Sequence, residues 1–163
     1  MIRVDIEKKL KAYKGQQVLK ISAQFRSGSI TKIFGPSGAG KTTFLKIIAG
    51  LIDPEKGRIK VDDITWLDTT SKISLSPQKR KVGFVFQNYA LFPNMNVRQH
   101  MEYATEDYQW VDRLLSIGKL GRFEKHRPEY FLPKQPALLG YFGEDHRRNI
   151  AGILVGGSIA FPR

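Results

Sequence analysis

The chain has 163 residues, no cysteine, and 27 Lys and Arg against 15 Asp and Glu, which gives a formal charge of +12. A chain of this length can bury a sizeable core, and the lack of cysteine excludes disulfides, thiolate metal ligands and a cysteine nucleophile. Residues 1–5 carry charge where a secretory leader would be apolar, and the longest apolar run, 150–161, is too short and glycine-rich to span a membrane. The lysines are scattered without interleaved aromatic residues, so we expect no nucleic-acid binding; anionic headgroups near a membrane-bound partner are at least as plausible.

Three strands are predicted before residue 35. Alternating apolar and polar residues predict half-buried strands over 2–6 and 19–25, with a turn at 14–16 between them. β-Branched and apolar residues over 29–34 predict a buried strand that ends at a glycine. The N-terminal part of the chain is therefore expected to contain antiparallel β structure.

A glycine-rich loop follows this third strand. Residues 35–42 read Gly-Pro-Ser-Gly-Ala-Gly-Lys-Thr and fit the pattern G-x-x-x-x-G-K-[ST] at every fixed position. Glycines let backbone N–H groups approach phosphate oxygens, Lys41 reaches the β- and γ-phosphates, and the Thr42 hydroxyl can ligate Mg²⁺. The structural alternative is a glycine turn that happens to precede a lysine. Because a strand precedes the loop and a helical pattern follows it, we predict a nucleotide phosphate site.

The helix after the loop is predicted from apolar residues at helical spacing, and Gly50 stands near its end. Its N-terminus would direct the positive end of the helix dipole toward the bound anion. The predicted phosphate cradle consists of Gly35, Pro36, Ser37, Gly38, Ala39, Gly40, Lys41, Thr42 and Thr43.

The rest of the chain changes from strand to helix character. Residues 53–57 break the chain, the segment 59–61 resumes an alternating strand, and a second apolar run over 82–86 ends at Gln87. Further on, Asn96 is followed three residues later by a glutamine, which predicts a capping box at the start of a helix. Trp110, Val111, Leu114 and Leu115 predict a second amphipathic helix that stops at Gly118.

The order of these motifs resembles that of ABC-transporter ATP-binding subunits. The motifs are Tyr13, the phosphate loop, the segment 49–57 and the segment 82–93. Within the family the chain is most similar to importer ATPases of the molybdate, sulfate, iron and sugar group. The segment 75–83 resembles the molybdate importers more than the others. The resemblance covers residues 1 to about 130.

The resemblance implies roles for individual residues. Tyr13 lies where the family places an aromatic side chain that stacks on adenine; the alternative is a turn tyrosine packed on its neighbours. Gln87 matches the glutamine that contacts Mg²⁺ and the attacking water, so Lys41 and Gln87 are the expected catalytic residues. Thr42 and Gln87 are the expected Mg²⁺ ligands. The segment 92–93 and the helix after it correspond to the region that docks onto the membrane subunit, or else to core packing of a helical subdomain.

The family pattern stops after residue 130. Residues 131–135 read Phe-Leu-Pro-Lys-Gln where the family has Leu-Ser-Gly-Gly-Gln. Glu144 and Asp145 come too early and in the reverse order to serve as the family's Asp-Glu pair, and the late switch histidine has no counterpart. We therefore expect a C-terminally truncated or frameshifted family member, or a gene fusion. The remaining histidines are typical of structural or solvated positions: His100, His126 and His146.

The predicted fold class is α/β: a partial P-loop core over 1–87, the start of a helical subdomain over 88–130, and a non-family tail over 131–163. Missing central strands are expected to leave 30–34 and 82–86 poorly covered.

The predicted function is the ATP-binding subunit of an ABC importer that couples ATP binding and hydrolysis, with Mg²⁺, to the uptake of a solute such as molybdate. The alternatives are a non-hydrolysing nucleotide-binding remnant or a frameshifted pseudogene product, and little hydrolysis is expected of this chain alone. A small-molecule kinase is disfavoured by the Gln87 segment. Expected partners are ATP, a membrane-spanning permease subunit and a second copy of the chain, at the cytoplasmic face of the cell membrane.

Overall fold

The structure is a computed structural model that describes residues 1–12, 15–80, 82–86, 91–127, 152–155 and 158–160. These residues fall in two compact units, one within Met1–Phe84 together with Asn149–Arg163, the other within Val85–Arg148. Within the described ranges, no helix is long and apolar enough to cross a membrane.

The first unit begins with a long antiparallel hairpin of β1 (Ile2–Ala12) and β2 (Gly15–Phe25). The register runs from Ile2 opposite Phe25 to Ala12 opposite Gly15. Both predicted strands exist, but they are longer than the alternation indicated. Lysines at 8, 9 and 11 interrupt the apolar pattern in the distal half of β1, which hides the strand from a periodicity argument.

Three further strands belong to the same sheet: β4 (Lys56–Val61), β5 (Ile64–Asp68) and β6 (Ile73–Ser74). The strand order is β2-β1-β4-β5-β6, and β1–β4, β4–β5 and β5–β6 all pair antiparallel. The sequence predicted β4 but not β5. The signal for β5 was available, because Asp62 and Asp63 form a two-residue turn, with Asp62 at φ 50°, between two β-rich runs.

The core of this unit lies between one face of the sheet and helix α1 (Lys41–Ala49). Alternation along β1 and β4 directs every second residue to the helix. Of the five residues predicted at helical spacing, α1 contributes four to the core, whereas Leu51 follows the helix and is 41% exposed. The buried members of the core are Ile2, Val4, Ile6, Phe44, Leu45, Ile47, Ile48, Ala49, Ile59, Trp66 and Leu67.

A second sheet has the order β3-β9-β8-β7, formed by β3 (Ile30–Lys32), β9 (Ser158–Ala160), β8 (Gly152–Val155) and β7 (Val82–Val85). Two short strands of the predicted tail therefore lie between the two strands expected to lack neighbours. β9 pairs antiparallel with both β3 and β8.

The prediction of a buried strand over 29–34 is wrong for alternate residues. Ile30 and Phe34 are 77% and 82% exposed, whereas Ile33 packs against the core. Successive side chains of an extended segment point to opposite faces. The face with Ile33 therefore packs against the core of α1 and the five-stranded sheet, while the face with Ile30 and Phe34 is exposed to solvent. In the second apolar run, Val82 and Phe84 pack against the core.

The second unit contains α3 (Val97–Ala104), α4 (Tyr108–Ile117) and a short 3₁₀ helix, Gly121–Phe123. The predicted capping box is present: the Gln99 N–H donates to Asn96 Oδ1, and the Asn96 N–H donates to Gln99 Oε1, both at 2.9 Å. The predicted stop at Gly118 is also present. Six buried side chains form the core: Val97, Met101, Val111, Leu114, Leu115 and Leu120.

An arginine connects the three helical segments of this unit. Arg98 on α3 lies 3.4 Å from Glu102, 2.5 Å from Asp112 on α4 and 3.3 Å from Glu124 after the 3₁₀ helix. These carboxylates, Asp112 foremost, raise the pKa of the Arg98 guanidinium above its ordinary value. The small core is thus supplemented by a charge network that joins its elements.

Candidate phosphate-binding site

The residue that precedes helix α1, Gly40, occupies a position that favours glycine. Gly40, the residue before the first helical residue, has φ 86°, a left-handed conformation that disfavours side chains. A Cβ atom there would also lie 3.0 Å from Leu10 Cδ1 and 3.1 Å from Leu19 Cδ2. The hairpin β1–β2 therefore packs directly against the start of the helix, and Phe44 N–H donates to Gly40 O at 2.8 Å to close the first turn.

The Lys41 ammonium group lies across the loop. Its Nζ donates to Gly35 O at 2.7 Å and to Pro36 O at 2.8 Å, and Ala39 N–H donates to Pro36 O at 3.3 Å. The loop thus curls around the lysine head group. A positive charge is held at the point where the loop meets the N-terminus of α1.

The surface of this loop is open to solvent. Residues 34–38 and Thr42 are exposed, and the N-cap provides no side-chain hydrogen bond to the helix. The first N–H groups of a helix have no intrahelical acceptor, and its N-terminus carries partial positive charge. Together with Lys41 this makes an exposed site of positive potential, with a hydroxyl at Thr42 next to it, suited to a phosphate anion and its hard cation.

The other end of α1 is closed by an arginine that the sequence reasoning missed. α2 (Pro77–Arg80) places Arg80 with only 1% of its surface exposed. Its Nη1 donates to Ile47 O at 2.8 Å and Ile48 O at 2.9 Å, and its Nε donates to Leu75 O at 2.8 Å. Burial lowers the pKa of this guanidinium, with the charge of Asp53 acting in the opposite direction.

The structure brings the whole predicted cradle, Gly35 to Thr43, into one loop and helix start. Tyr13 and Gln87, the predicted adenine-stacking and water-positioning residues, lie outside the described residues. In the described ranges, no group of three or more His, Asp or Glu side chains could hold a metal ion. The Mg²⁺ ligands named from the sequence, Thr42 and Gln87, therefore stay a prediction.

His100 has a structural role, as expected of an isolated histidine. The ring is 8% exposed, Phe92 N–H donates to its Nε2 at 2.9 Å, and its Nδ1 lies 2.7 Å from Asn96 O. Because Nε2 accepts, Nδ1 carries the proton and donates to the carbonyl. Both ring nitrogens are thereby used in joining the start of α3 to the segment before it.

The described strands, helix and loop define the class of an α/β phosphate-loop protein, and a solved structure shares this fold. A bacterial ABC transporter cassette, determined as a dimer, superimposes with a TM-score of 0.72 at 26% identity and covers 95% of this chain and 73% of its own. The predicted fold class is confirmed.

The chain belongs to the ABC transporter family, whose profile matches residues 18–156. The family predicted from the motifs is confirmed. The match runs past residue 130, where those motifs stop, and the predicted division into 1–87, 88–130 and 131–163 stays a prediction.

Curated relatives share the name molybdenum import ATP-binding protein ModC. The protein of Brucella abortus is 46% identical over 101 residues, which is 57% of this chain and 28% of that relative. The protein of Rhodospirillum rubrum is 40% identical over 120 residues, 69% of this chain and 32% of that relative. The chain thus spans about a third of the length of the curated relatives it matches.

Proposed function

We propose that this chain forms the phosphate-binding part of an ABC importer ATP-binding subunit, which couples ATP binding and hydrolysis to solute uptake. The observation that carries the proposal is the Lys41 ammonium group, held on the Gly35 and Pro36 carbonyls at the N-terminus of α1. Similarity to ModC proteins supports molybdate as the solute.

The residues present fit Mg-ATP. The exposed loop and helix N-terminus would receive the phosphates, Lys41 would exchange its carbonyl contacts for phosphate oxygens, and the Thr42 hydroxyl would ligate Mg²⁺. Bound Mg²⁺ would supply charge neutralisation on the phosphate oxygens. We further propose that Tyr13 stacks on adenine and that Gln87 positions water and Mg²⁺.

The proposed partners are a membrane-spanning permease subunit and a second copy of the chain, at the cytoplasmic face of the cell membrane. Family membership supports both partners. For the permease, a surface in the second unit also supports the proposal: Phe92 and Tyr103, 42% and 70% exposed, pack at a ring distance of 5.2 Å. Aromatic residues are enriched at protein interfaces relative to the rest of the surface.

A non-hydrolysing nucleotide-binding module is the second candidate. Residues 131–135, Phe-Leu-Pro-Lys-Gln, differ from the Leu-Ser-Gly-Gly-Gln signature that caps the γ-phosphate in the family, and the sequence offers no matching Asp-Glu pair. Positioned acid–base catalysis contributes roughly 10²–10⁴-fold to rates. Phosphate release from excess Mg-ATP separates the candidates, with Lys41→Ala as the blank; a Lys41-dependent rate supports hydrolysis, and its absence supports the binding module.

The nucleotide site is tested by titrating Mg-ATP into the parent chain and Lys41→Ala. The substitution removes a charge-assisted contact worth about 1.5–3 kcal/mol, so we expect a loss in affinity of about tenfold or more. Lys46→Ala, a lysine in the last turn of the same helix, is the matched control and should bind as the parent does. Equal affinities for the parent chain and Lys41→Ala would reject the site, and a parent chain without affinity would reject the proposal for this chain.

A further inference from the structure

Arg80 is buried, unlike most arginines in proteins, and most of its hydrogen bonds go to one end of α1. It donates to the carbonyls of Ile47 and Ile48, in the last turn of that helix, and to the carbonyl of Leu75 just before α2. Among the described residues it is one of two buried polar or charged side chains, with His100. Charged groups are seldom fully buried without such partners, because their desolvation is costly.

The surroundings fix the guanidinium in one place. Gly50, which ends α1 at φ 77°, faces it so closely that a Cβ atom would lie 2.8 Å from Arg80 Cζ and Nε. The indole ring of Trp66 lies on another side, with its centroid 6.0 Å from Cζ. The absence of a side chain at Gly50 therefore makes the space that the arginine fills.

These contacts place a positive charge at the negative end of the α1 dipole. They add a side-chain donor to Ile47 O, which also accepts from Gly50 N–H at 3.1 Å, and to Ile48 O at the helix end. The helix has nine residues, about 13.5 Å at 1.5 Å per residue, and its successive backbone hydrogen bonds link its C-terminal end to its first turn. A shift of its C-terminal end would therefore displace Lys41 and Thr42 at the other end.

We infer that Arg80 is a positioning residue for the phosphate loop, holding α1 from its C-terminal end so that Lys41 and the first N–H groups stay aligned for a phosphate. The inference rests on the proposed function. An arginine that only filled the core would contribute to stability and leave the affinity of the folded chain unchanged.

The experiment compares Arg80→Met and Arg80→Lys with the parent chain, below the temperature at which circular dichroism shows unfolding. We expect Arg80→Met to lower Mg-ATP affinity at least about threefold, as coupling through a packed element does, and Arg80→Lys to lower it less. Hydrogen exchange of the ligand-free chain should accelerate at the Phe44 amide, whose bond to Gly40 O closes the first turn of α1, in both variants. Arg58→Met is the control, since that side chain on β4 is 63% exposed.

A second pair of variants tests the same contact from the other side. Gly50→Ala displaces the guanidinium and should weaken Mg-ATP binding in the same direction as Arg80→Lys. Gly28→Ala, at an exposed turn with φ 74° against 77° for Gly50, imposes similar backbone strain without Arg80 and should leave affinity unchanged.

A double-mutant cycle of Arg80→Met with Lys41→Ala supplies the decisive readout. Positioning predicts that the two losses in Mg-ATP affinity are not additive, because Arg80 acts through Lys41; additive losses would overturn the inference. Unchanged affinity and unchanged first-turn exchange in folded Arg80→Met would overturn it as well. If Arg80→Met does not fold, Mg-ATP affinity and first-turn exchange are measured in Arg80→Lys and Gly50→Ala instead. Unchanged values of both in those variants would overturn the inference.

Failure of the proposed function gives a different pattern. A parent chain without Mg-ATP affinity rejects the nucleotide site, while hydrogen exchange of the ligand-free chain still reports whether Arg80 holds the first turn of α1. Faster exchange at that turn in the Arg80 variants would then support the mechanical part of the inference, and unchanged exchange would overturn it.

Discussion

The helices of the two units begin in different ways. α3 and α4 each start with a side chain that accepts a hydrogen bond from the first turn, Asn96 and Asp107 respectively. α1 starts at Gly40 without such a cap. A side-chain cap engages N–H groups that would otherwise meet water or a ligand. The helix of the candidate site thus leaves its N-terminus available, and its stability has to come from elsewhere.

For α1 that stability comes from burial and from its C-terminal end. Five of its nine residues are buried, in a core with eleven buried members among the described residues. The core described for the helical unit has six, supplemented by the caps and the Arg98 network. The helix with the uncapped N-terminus is thus held by its apolar face and by the Arg80 contacts at its C-terminal end.

The largest expected effect on stability comes from a substitution in the core that holds α1. Leu45→Ala removes a side chain with no exposed surface from α1 and should lower the free energy of unfolding by about 2–5 kcal/mol. Leu51→Ala, at a leucine 41% exposed just after the same helix, is the control and should cost far less. Urea unfolding of the three chains measures this; similar losses in both variants would mean that burial does not hold α1.

Removing the side-chain cap of α3 is expected to have a smaller effect on stability. Asn96→Ala removes the acceptor for Gln99 N–H and should destabilise the helical unit by about 1 kcal/mol, whereas Asn96→Asp keeps the acceptor and should be close to neutral. Thermal unfolding and hydrogen exchange at the Gln99 amide report the change. Asn94→Ala, two residues earlier at an exposed position, is the control. A loss as large as that of Leu45→Ala would contradict the ranking.

The smallest expected effect depends on pH and concerns the segment after α1. Lys9 N–H donates to Glu55 Oε2 at 2.7 Å and Lys8 Nζ donates to Oε1 at 3.1 Å, which fastens this segment to β1. Both hydrogen bonds lower the pKa of Glu55, and the bond from Lys9 N–H has the larger effect.

Because the folded-state pKa is lowered, the contribution of Glu55 is fully present above the ordinary carboxylate range and is lost as pH falls through the folded value. Glu55→Gln should therefore lower the melting temperature slightly at pH 7 and have no effect well below about pH 4. Glu106→Gln, at an exposed carboxylate, is the control for loss of charge alone. A difference between Glu55→Gln and the parent chain that persists unchanged in acid would exclude this origin.

Local features of the fold could be predicted from the sequence, and features that depend on distant contacts could not. Three features depend only on neighbours within a few residues and could therefore be predicted from local sequence patterns. They are the phosphate loop, the helix stop at Gly50 and the capping box at Asn96. Arg80 lies in a charged run that is typical of a solvent-exposed turn. Its burial depends on carbonyls 32 and 33 residues away, which no local pattern encodes.

The strand before the loop shows the opposite limitation. Four of the six residues over 29–34 are β-branched or apolar and indicated a buried strand, but exposure is decided by what packs against each face. The same reasoning missed the distal half of β1, where lysines hide a strand that is defined by pairing with β2.

The exposed side chains of Ile30 and Phe34 have a consequence for handling the protein in solution. At low ionic strength the charge of +12 repels one copy from another over a Debye length of about 10 Å in 0.1 M salt. In about 1 M salt that length falls to about 3 Å, and apolar surface is then free to associate across the weakened repulsion. Salt, commonly added to keep basic proteins dispersed, should here increase light scattering, and the effect should diminish when Phe34 is replaced by a polar residue.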